Sequence, residues 1–536
     1  MSSKTTHTYD SLGRLTSAQL PNGVSTTYSY DELGNRQTVV EIPPLTPPAP
    51  SLITIASLPK KLFGDFKNNP MMVLLSSGEL IGWGNNSAGG LANGLSTNTT
   101  SIAQRLMFDP NTTSPASGTT IVDWAFTNAN IYIVYSNGWV YSAGANDYGQ
   151  LAQGDTTERD QLKRIEYFVT NSISINKVWA AASVYATNGG GCAYFLSSAG
   201  NLYGCGANAA GNLANNTTTN QSTPVTCLGL TGLSGSPTIS DLQMSSDDAN
   251  FACYLLMSNG TVMVAGANTV GQLGINTTTN RSASFTNALK FNGTSNVNLT
   301  NVVSISANGG FAGGSSVAAN ALAVDSSGNV WTVGNNVYGI LGLGSTTSES
   351  VFYQVTALSN VAQAGLGGGY YGCGYAITTS GALYTWGYGG NNSLFQNNTT
   401  TRVETPTLAT YIPGTSSKIY FPRGENLTTS AMQLFALTTA GKIVYAGAAN
   451  GQIGLNNAVT SGAYYYIPSP LQILNGTETI DDVFVHGTST AQRIFVLTSA
   501  GNLYACGLHA NSICTGGIAS DAAVASTAWY KISFMP

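Results

Sequence analysis

The sequence predicts an all-β protein: a closed β-propeller of about eight four-stranded blades, with seven as the alternative, preceded by an N-terminal β-hairpin arm. Three observations predict it. One glycine-centred phrase recurs eight times. A second motif and a Thr/Asn-rich loop follow most copies. The first fifty residues carry a different and shorter repeat.

The recurring phrase is an apolar run, Ser or Thr, a small residue, Gly, any residue, an apolar–aromatic pair and a second Gly. Its copies span 74–84, 133–144, 195–206, 255–266, 323–334, 376–387, 436–447 and 496–507. The first glycines are Gly78, Gly138, Gly200, Gly260, Gly328, Gly381, Gly441 and Gly501, at intervals of 60, 62, 60, 68, 53, 60 and 60 residues. Each copy reads as a β-hairpin. The flanks alternate and are rich in Val, Leu, Ile and Tyr, and Gly supplies the positive φ of the tight turn. The glycines around the apolar pair are expected to allow close backbone approach near the propeller axis.

The second motif is Asn-x-x-Gly-Gln-Leu or a near variant, as at Gly149-Gln150-Leu151, Gly211-Asn212-Leu213, Gly271-Gln272-Leu273 and Gly451-Gln452-Ile453. A Thr/Asn-rich loop follows, as at 216–220, 276–280 and 398–401. A short strand then precedes the next hairpin, with 302–306, 418–421 and 483–485 as good cases. Each unit thus supplies about four strands, and no stretch shows a long helical period. A lone four-stranded sheet buries neither face well. Packing each against its neighbours in a closed ring buries both.

Units such as GNLYGCGANAAGNLANNTTTNQSTPV (200–225) and GTVMVAGANTVGQLGINTTTN (260–280) resemble the regulator-of-chromosome-condensation repeat. The resemblance covers about residues 52–536 and implies a ring propeller, usually of seven blades. Eight hairpins depart from that number. The sixth and eighth units also break the Gly-Gln-Leu step, reading Asn391-Asn392-Ser393-Leu394 and Asn511-Ser512-Ile513-Cys514. The family's Gly-x-x-His step is absent here. Its nuclear members activate a small GTPase and touch chromatin, and no residue of this sequence carries either role over.

The arm, residues 1–42, holds Tyr9-Asp10-Ser11-Leu12-Gly13-Arg14-Leu15 and, 21 residues on, Tyr30-Asp31-Glu32-Leu33-Gly34-Asn35-Arg36. These resemble the YD repeat of Rhs-type proteins, whose long arrays wind into a shell. Two copies are too few for a shell, and so short a segment is too small to hold a core alone. Its apolar residues Leu12, Leu15, Leu20, Tyr28, Tyr30 and Leu33 are therefore expected to dock against another chain. Residues 43–51 are a Pro-rich, semi-rigid linker, and 52–536 form the propeller.

Composition narrows function. Charged residues are 8% of the chain and net charge is −5, with no basic block to neutralise phosphates, which argues against nucleic acid. No apolar run is long enough for a membrane-spanning helix. The first ten residues lack the apolar core of a signal peptide, so virion location, or release by lysis, is expected, with bacterial cytoplasm as the alternative. Seven Cys without a C-x-x-C, and three widely separated His, make poor disulfide or metal frameworks. Cys192, Cys205, Cys253, Cys373 and Cys506 are expected as buried small hydrophobes. Asp247-Asp248 and Asp481-Asp482 fit no calcium loop and read as solvated turns. No catalytic residue, metal site or cofactor is expected.

Recognition then falls to aromatic and Asn-rich surface, and Tyr370, Tyr371, Tyr388, Tyr464, Tyr465 and Tyr466 are the candidate binding residues. The expected function is a non-enzymatic appendage of a phage virion or injection machine. It would dock to other protein chains by the arm, assemble as an oligomer or part of a larger structure, and present the propeller to a host-surface glycan or protein. An Rhs-associated bacterial interaction module is the alternative, and a polysaccharide-acting enzyme the least favoured reading.

Overall fold

A computed structural model shows two compact units, 1–53 and 54–536. It describes the strands 6–9, 15–19, 25–30, 36–42 and 59–64, then 71–508, and the strand 525–531. Outside the description within 71–508 are positions 85, 87, 97–99, 128, 183–189, 248–249, 313–315, 368–370, 390–392, 397–401, 411, 413, 421–432, 448–464, 467–477 and 489–490.

In the smaller unit the strands Thr6–Tyr9, Leu15–Gln19, Ser25–Tyr30 and Arg36–Ile42 form one antiparallel sheet in chain order. The two Tyr-Asp phrases have the same job in it. Tyr9 pairs with Leu15 and Tyr30 with Arg36, each next to a shift of register, so each phrase closes a hairpin. Leu15, Tyr28 and Tyr30 lie in strands. Leu12, Leu20 and Leu33 lie outside the described residues.

The larger unit is an eight-bladed β-propeller. Its antiparallel blades span 59–105, 121–164, 175–226, 239–287, 302–354, 361–408, 416–466 and 480–531, each continuous in sequence. The first strands lie at the axis, and those of blades 2 and 3, 3 and 4, 4 and 5, 5 and 6, 7 and 8, and 8 and 1 meet one another. Pro59–Gly64 of blade 1 meets Ile480–Thr488 and Ala491–Thr498 of blade 8, which closes the ring. Among the described residues no strand from one end of the chain completes a blade begun at the other, so side-to-side packing does the closing.

The interval of 68 residues between Gly260 and Gly328 reflects an insertion. Leu289–Phe291 and Asn296–Asn298 form a small hairpin that pairs in parallel with the outer strand of blade 5 through Lys290 and Phe352. The same parallel lacing recurs as the Phe108–Leu162 bridge to blade 2. It covers outer edges that would otherwise offer free N–H and C=O groups. Among the described residues the one helix is the single turn Glu166–Thr170 between blades 2 and 3.

The core is a set of seams between blades. The seam between blades 3 and 4 is typical, with Tyr194, Leu213, Phe251, Cys253, Leu255 and Phe285 all buried together. Second and third strands such as Met71–Leu75, Leu80–Gly84 and Val140–Gly144 are buried at every position, because a sheet between two sheets has no wet face.

The glycines behave differently from the sequence expectation. The second glycine of the phrase does permit close approach, but inside the hairpin rather than near the axis. A Cβ on Gly266 would collide with the carbonyl of Phe251 on the neighbouring strand. The turn glycine Gly260, at φ 78°, joins blades: its carbonyl accepts the N–H of Val302, first residue of blade 5, at 2.9 Å.

Candidate recognition surface

One face of the propeller carries the loop that leaves each third strand, and one asparagine organises it. In blades 2 to 5 this residue is Asn146, Asn208, Asn268 and Asn336, each buried and two residues past the second glycine. Its Oδ1 accepts the N–H of the motif leucine, from Leu151, Leu213, Leu273 and Leu341, at 2.9 Å in all four. Its Nδ2 donates to two carbonyls of the loop beyond, nine and eleven residues on. In blade 4 these are Thr277 at 2.8 Å and Thr279 at 3.1 Å. Asn86 of blade 1 accepts the Leu91 N–H at 2.8 Å and donates to the Leu95 carbonyl. One side chain therefore pins the Thr/Asn loop to the motif, which is the physical reason the two occur together in the sequence. Blades 6 to 8 have Gly389, Ala449 and His509 in place of this asparagine.

The backbone at the Gln or Asn of the motif is tied to the second strand of its blade. Tyr132 and Tyr254 each donate their hydroxyl to the carbonyl of Gln150 and Gln272 at 2.8 Å, and Tyr194 does the same to Asn212. Gln150 also reaches the next blade, where its carbonyl accepts Cys205 Sγ at 3.1 Å. The buried thiols are held protonated. Burial pushes Cys205 well above its usual range, and burial, partly offset by a hydrogen bond with Tyr194, takes Cys253 to about 12. Cys192, Cys205, Cys227, Cys253 and Cys373 are free and buried, as the sequence suggested for four of them.

The predicted binding tyrosines divide three ways. Tyr371 and Tyr388 come together at the seam between blades 5 and 6, with ring centroids 4.9 Å apart. Tyr388 is 3% exposed, so it supports this cluster from beneath and is not itself a surface aromatic. Both rings pack on Tyr338, at 5.0 and 5.7 Å, a residue the sequence reading missed. Tyr338 sits inside the motif, in Asn336-Val337-Tyr338-Gly339. The signal for it was present in blade 2, where Asn146-Asp147-Tyr148-Gly149 has Tyr at the same step. Tyr338 and Tyr371 are half-buried and Val337 beside them is 49% exposed. Tyr465 and Tyr466 form the outer strand of blade 7, pairing with Tyr445 and Val444. Tyr370 and Tyr464 lie outside the described residues.

Two acidic side chains, the buried Asp325 and the partly exposed Asp155, are engaged in structure. Burial raises the Asp325 carboxyl, but the Trp331 indole N–H at 2.9 Å and the Asn329 and Ser327 amides outweigh that and hold it below the usual carboxylate range. Burial likewise raises Asp155, and the Thr157 amide and the Arg159 guanidinium bring it below that range. Among the described residues, no three His, Cys, Asp or Glu side chains group as metal ligands.

Residues 5–41 match the RHS Repeat family. The fold is shared with Prp20p from Saccharomyces cerevisiae, at 15% identity and TM-score 0.50, covering 80% of this chain and 91% of that one; that protein was studied for its binding to Gsp1p and histones. A second structure of it, as yeast RCC1 bound to Kap60, matches at 16% identity and TM-score 0.50, covering 80% and 88%. Human WBSCR16 matches at 17% identity and TM-score 0.46, covering 73% and 90%. Residues 5–41 thus carry an RHS Repeat, and the larger unit has the propeller fold of these RCC1-type structures.

Proposed function

We propose that this chain is a non-enzymatic recognition protein, an appendage of a phage virion or injection machine that docks through residues 1–42 and presents the propeller to a surface glycan or protein. The observation that carries this reading is the union in one chain of a two-hairpin RHS sheet with a ring that repeats one pinned loop on one face. Such a ring offers many loops at fixed spacing without altering its core. The half-buried Tyr338 and Tyr371 with exposed Val337 supply a rigid aromatic contact on that face, suited to a sugar ring or an apolar side chain.

The RHS match also favours a second reading, an interaction module working beside an Rhs system inside bacteria. Both share the binding role and differ in the partner. The test is attachment of fluorescently labelled full-length protein to bacterial cells, alongside capture of Rhs-type proteins from the same strain. Saturable binding to the cell surface that weakens on Tyr371→Ala supports the appendage. Capture of an Rhs-type protein without surface binding replaces it with the second reading.

A further inference from the structure

The axis-lining strands carry a second repeat that neither the hairpin phrase nor the loop motif contains. Each first strand has a register shift one residue after its start, the mark of a β-bulge. The residue just past the bulge occupies the same place in all eight blades, opposite the hairpin residue four before the turn glycine. In order around the ring these residues are Lys61, Asp123, Lys177, Asp241, Ser304, Gln363, Lys418 and Asp482. Starting from blade 7, six consecutive blades alternate Lys, Asp, Lys, Asp, Lys, Asp, and blades 5 and 6 are neutral. In a chain with so few charges this is an ordered arrangement.

Part of the arc laces the ring internally. Asp123 accepts the N–H of Val178 in blade 3 at 2.8 Å, Lys177 donates to the Ser240 carbonyl in blade 4 at 3.1 Å, and Lys418 lies 3.7 Å from Asp482. The ring nevertheless opens to solvent. Lys418 is 53% exposed, and the bulge residues Val122 and Val303 are 49% and 58% exposed. The hairpin turns on the same face end in small Ser, Thr, Asn and Ala residues, exposed in every blade.

We propose that this face is an interface with a second copy of the chain, stacked ring on ring about a two-fold axis lying in the plane of the propeller. A two-fold interface sets each patch against its own mirror partner in the other copy. With the axis through the seam between blades 1 and 2, blade 1 faces blade 2, blade 8 faces blade 3, blade 7 faces blade 4 and blade 6 faces blade 5. Asp482 then meets Lys177, Lys418 meets Asp241, and Gln363 meets Ser304, each pair occurring twice, and the register position of Lys61 falls opposite that of Asp123. Every charge meets its opposite and neutral meets neutral. Any other in-plane two-fold axis sets a charge against itself or against a neutral residue. The same axis brings the exposed Val303 onto Ala362. Complementarity of this kind fixes register and rejects misaligned partners.

The experiment uses the full chain and measures its mass by sedimentation velocity across a salt series. The wild type is expected as a dimer of chains, or a multiple of it, that weakens as salt rises. Asp241→Lys and Lys418→Asp should each weaken the dimer by about tenfold or more, since each places like charges together twice. Combining them should restore it, because Asp241 and Lys418 face each other across the two copies. Within one ring the double variant instead sets Lys177 beside a lysine and Asp482 beside an aspartate. A purely internal role therefore predicts that the double variant is worse than either single, with a falling Tm and unchanged mass. A wild type of single-chain mass, an assembly indifferent to both single changes, or a double variant weaker than either single overturns the proposal.

Discussion

At the scale of the residue, the loop asparagine is the most informative side chain. Asn268 is buried and satisfies three backbone groups in two segments. Replacing it with Ala strands the Leu273 N–H and two loop carbonyls, each loss costing about 1–3 kcal/mol where water cannot substitute. We expect Asn268→Ala to lower Tm and to increase proteolysis within 274–281; an unchanged Tm refutes the pin. Gly260→Val should destabilise for two reasons. The site holds φ at 78°, which a β-branched residue avoids, and a Cβ would lie 2.9 Å from the Cα of Asn301 in the next blade. Asp325 gives a pH dependence with a definite sign. Its folded pKa is lowered, so its stabilisation is complete above the unfolded carboxylate pKa, about 4, and is lost as pH falls through the folded value. Melting curves should show Tm falling below about pH 4, and Asp325→Asn should flatten part of that fall while lowering Tm at neutral pH. An Asn variant with the wild-type pH profile would exclude the carboxylate as a contributor.

At the scale of the element, the blade is the unit of both sequence and structure. The hairpin phrase was legible because Gly at a tight turn and burial on both faces of a strand each leave a strong mark. The inner strand was legible in part: 302–306 and 483–485 fall inside Val302–Ala312 and Ile480–Thr488. Its bulge left no mark, since a bulge is a relation between two strands and the sequence shows only one. Tyr465 and Tyr466 belong to the short outer strand of blade 7, at the edge of its sheet. Replacing Tyr464, Tyr465 and Tyr466 together with Ser should weaken surface attachment while leaving Tm nearly unchanged. Undiminished attachment removes the segment from the binding surface.

At the scale of the whole molecule, the two units invite separation. Deleting residues 1–42 should leave a folded propeller with the parent's cooperative melt, because no blade draws a strand from that segment. We expect the truncated protein to lose docking to its partner assembly. If it docks as well as the full chain, the segment has no part in docking and the appendage reading loses its main support.

The sequence by itself determined the repeat, the strand-rich blade, the number of hairpins and the resemblance of the first fifty residues to a YD repeat. Each of these is local: turn glycines, alternation and motif spacing act within one unit, so one unit displays them. The tertiary structure decided what depends on neighbours. It set where the glycines make their close approach and gathered Tyr338, Tyr371 and Tyr388 at one seam. It aligned Lys61, Asp123, Lys177, Asp241, Lys418 and Asp482 in a single register. Those residues lie tens to hundreds of positions apart in the chain, and only closure of the ring, which follows from burying both faces of every sheet, makes them neighbours.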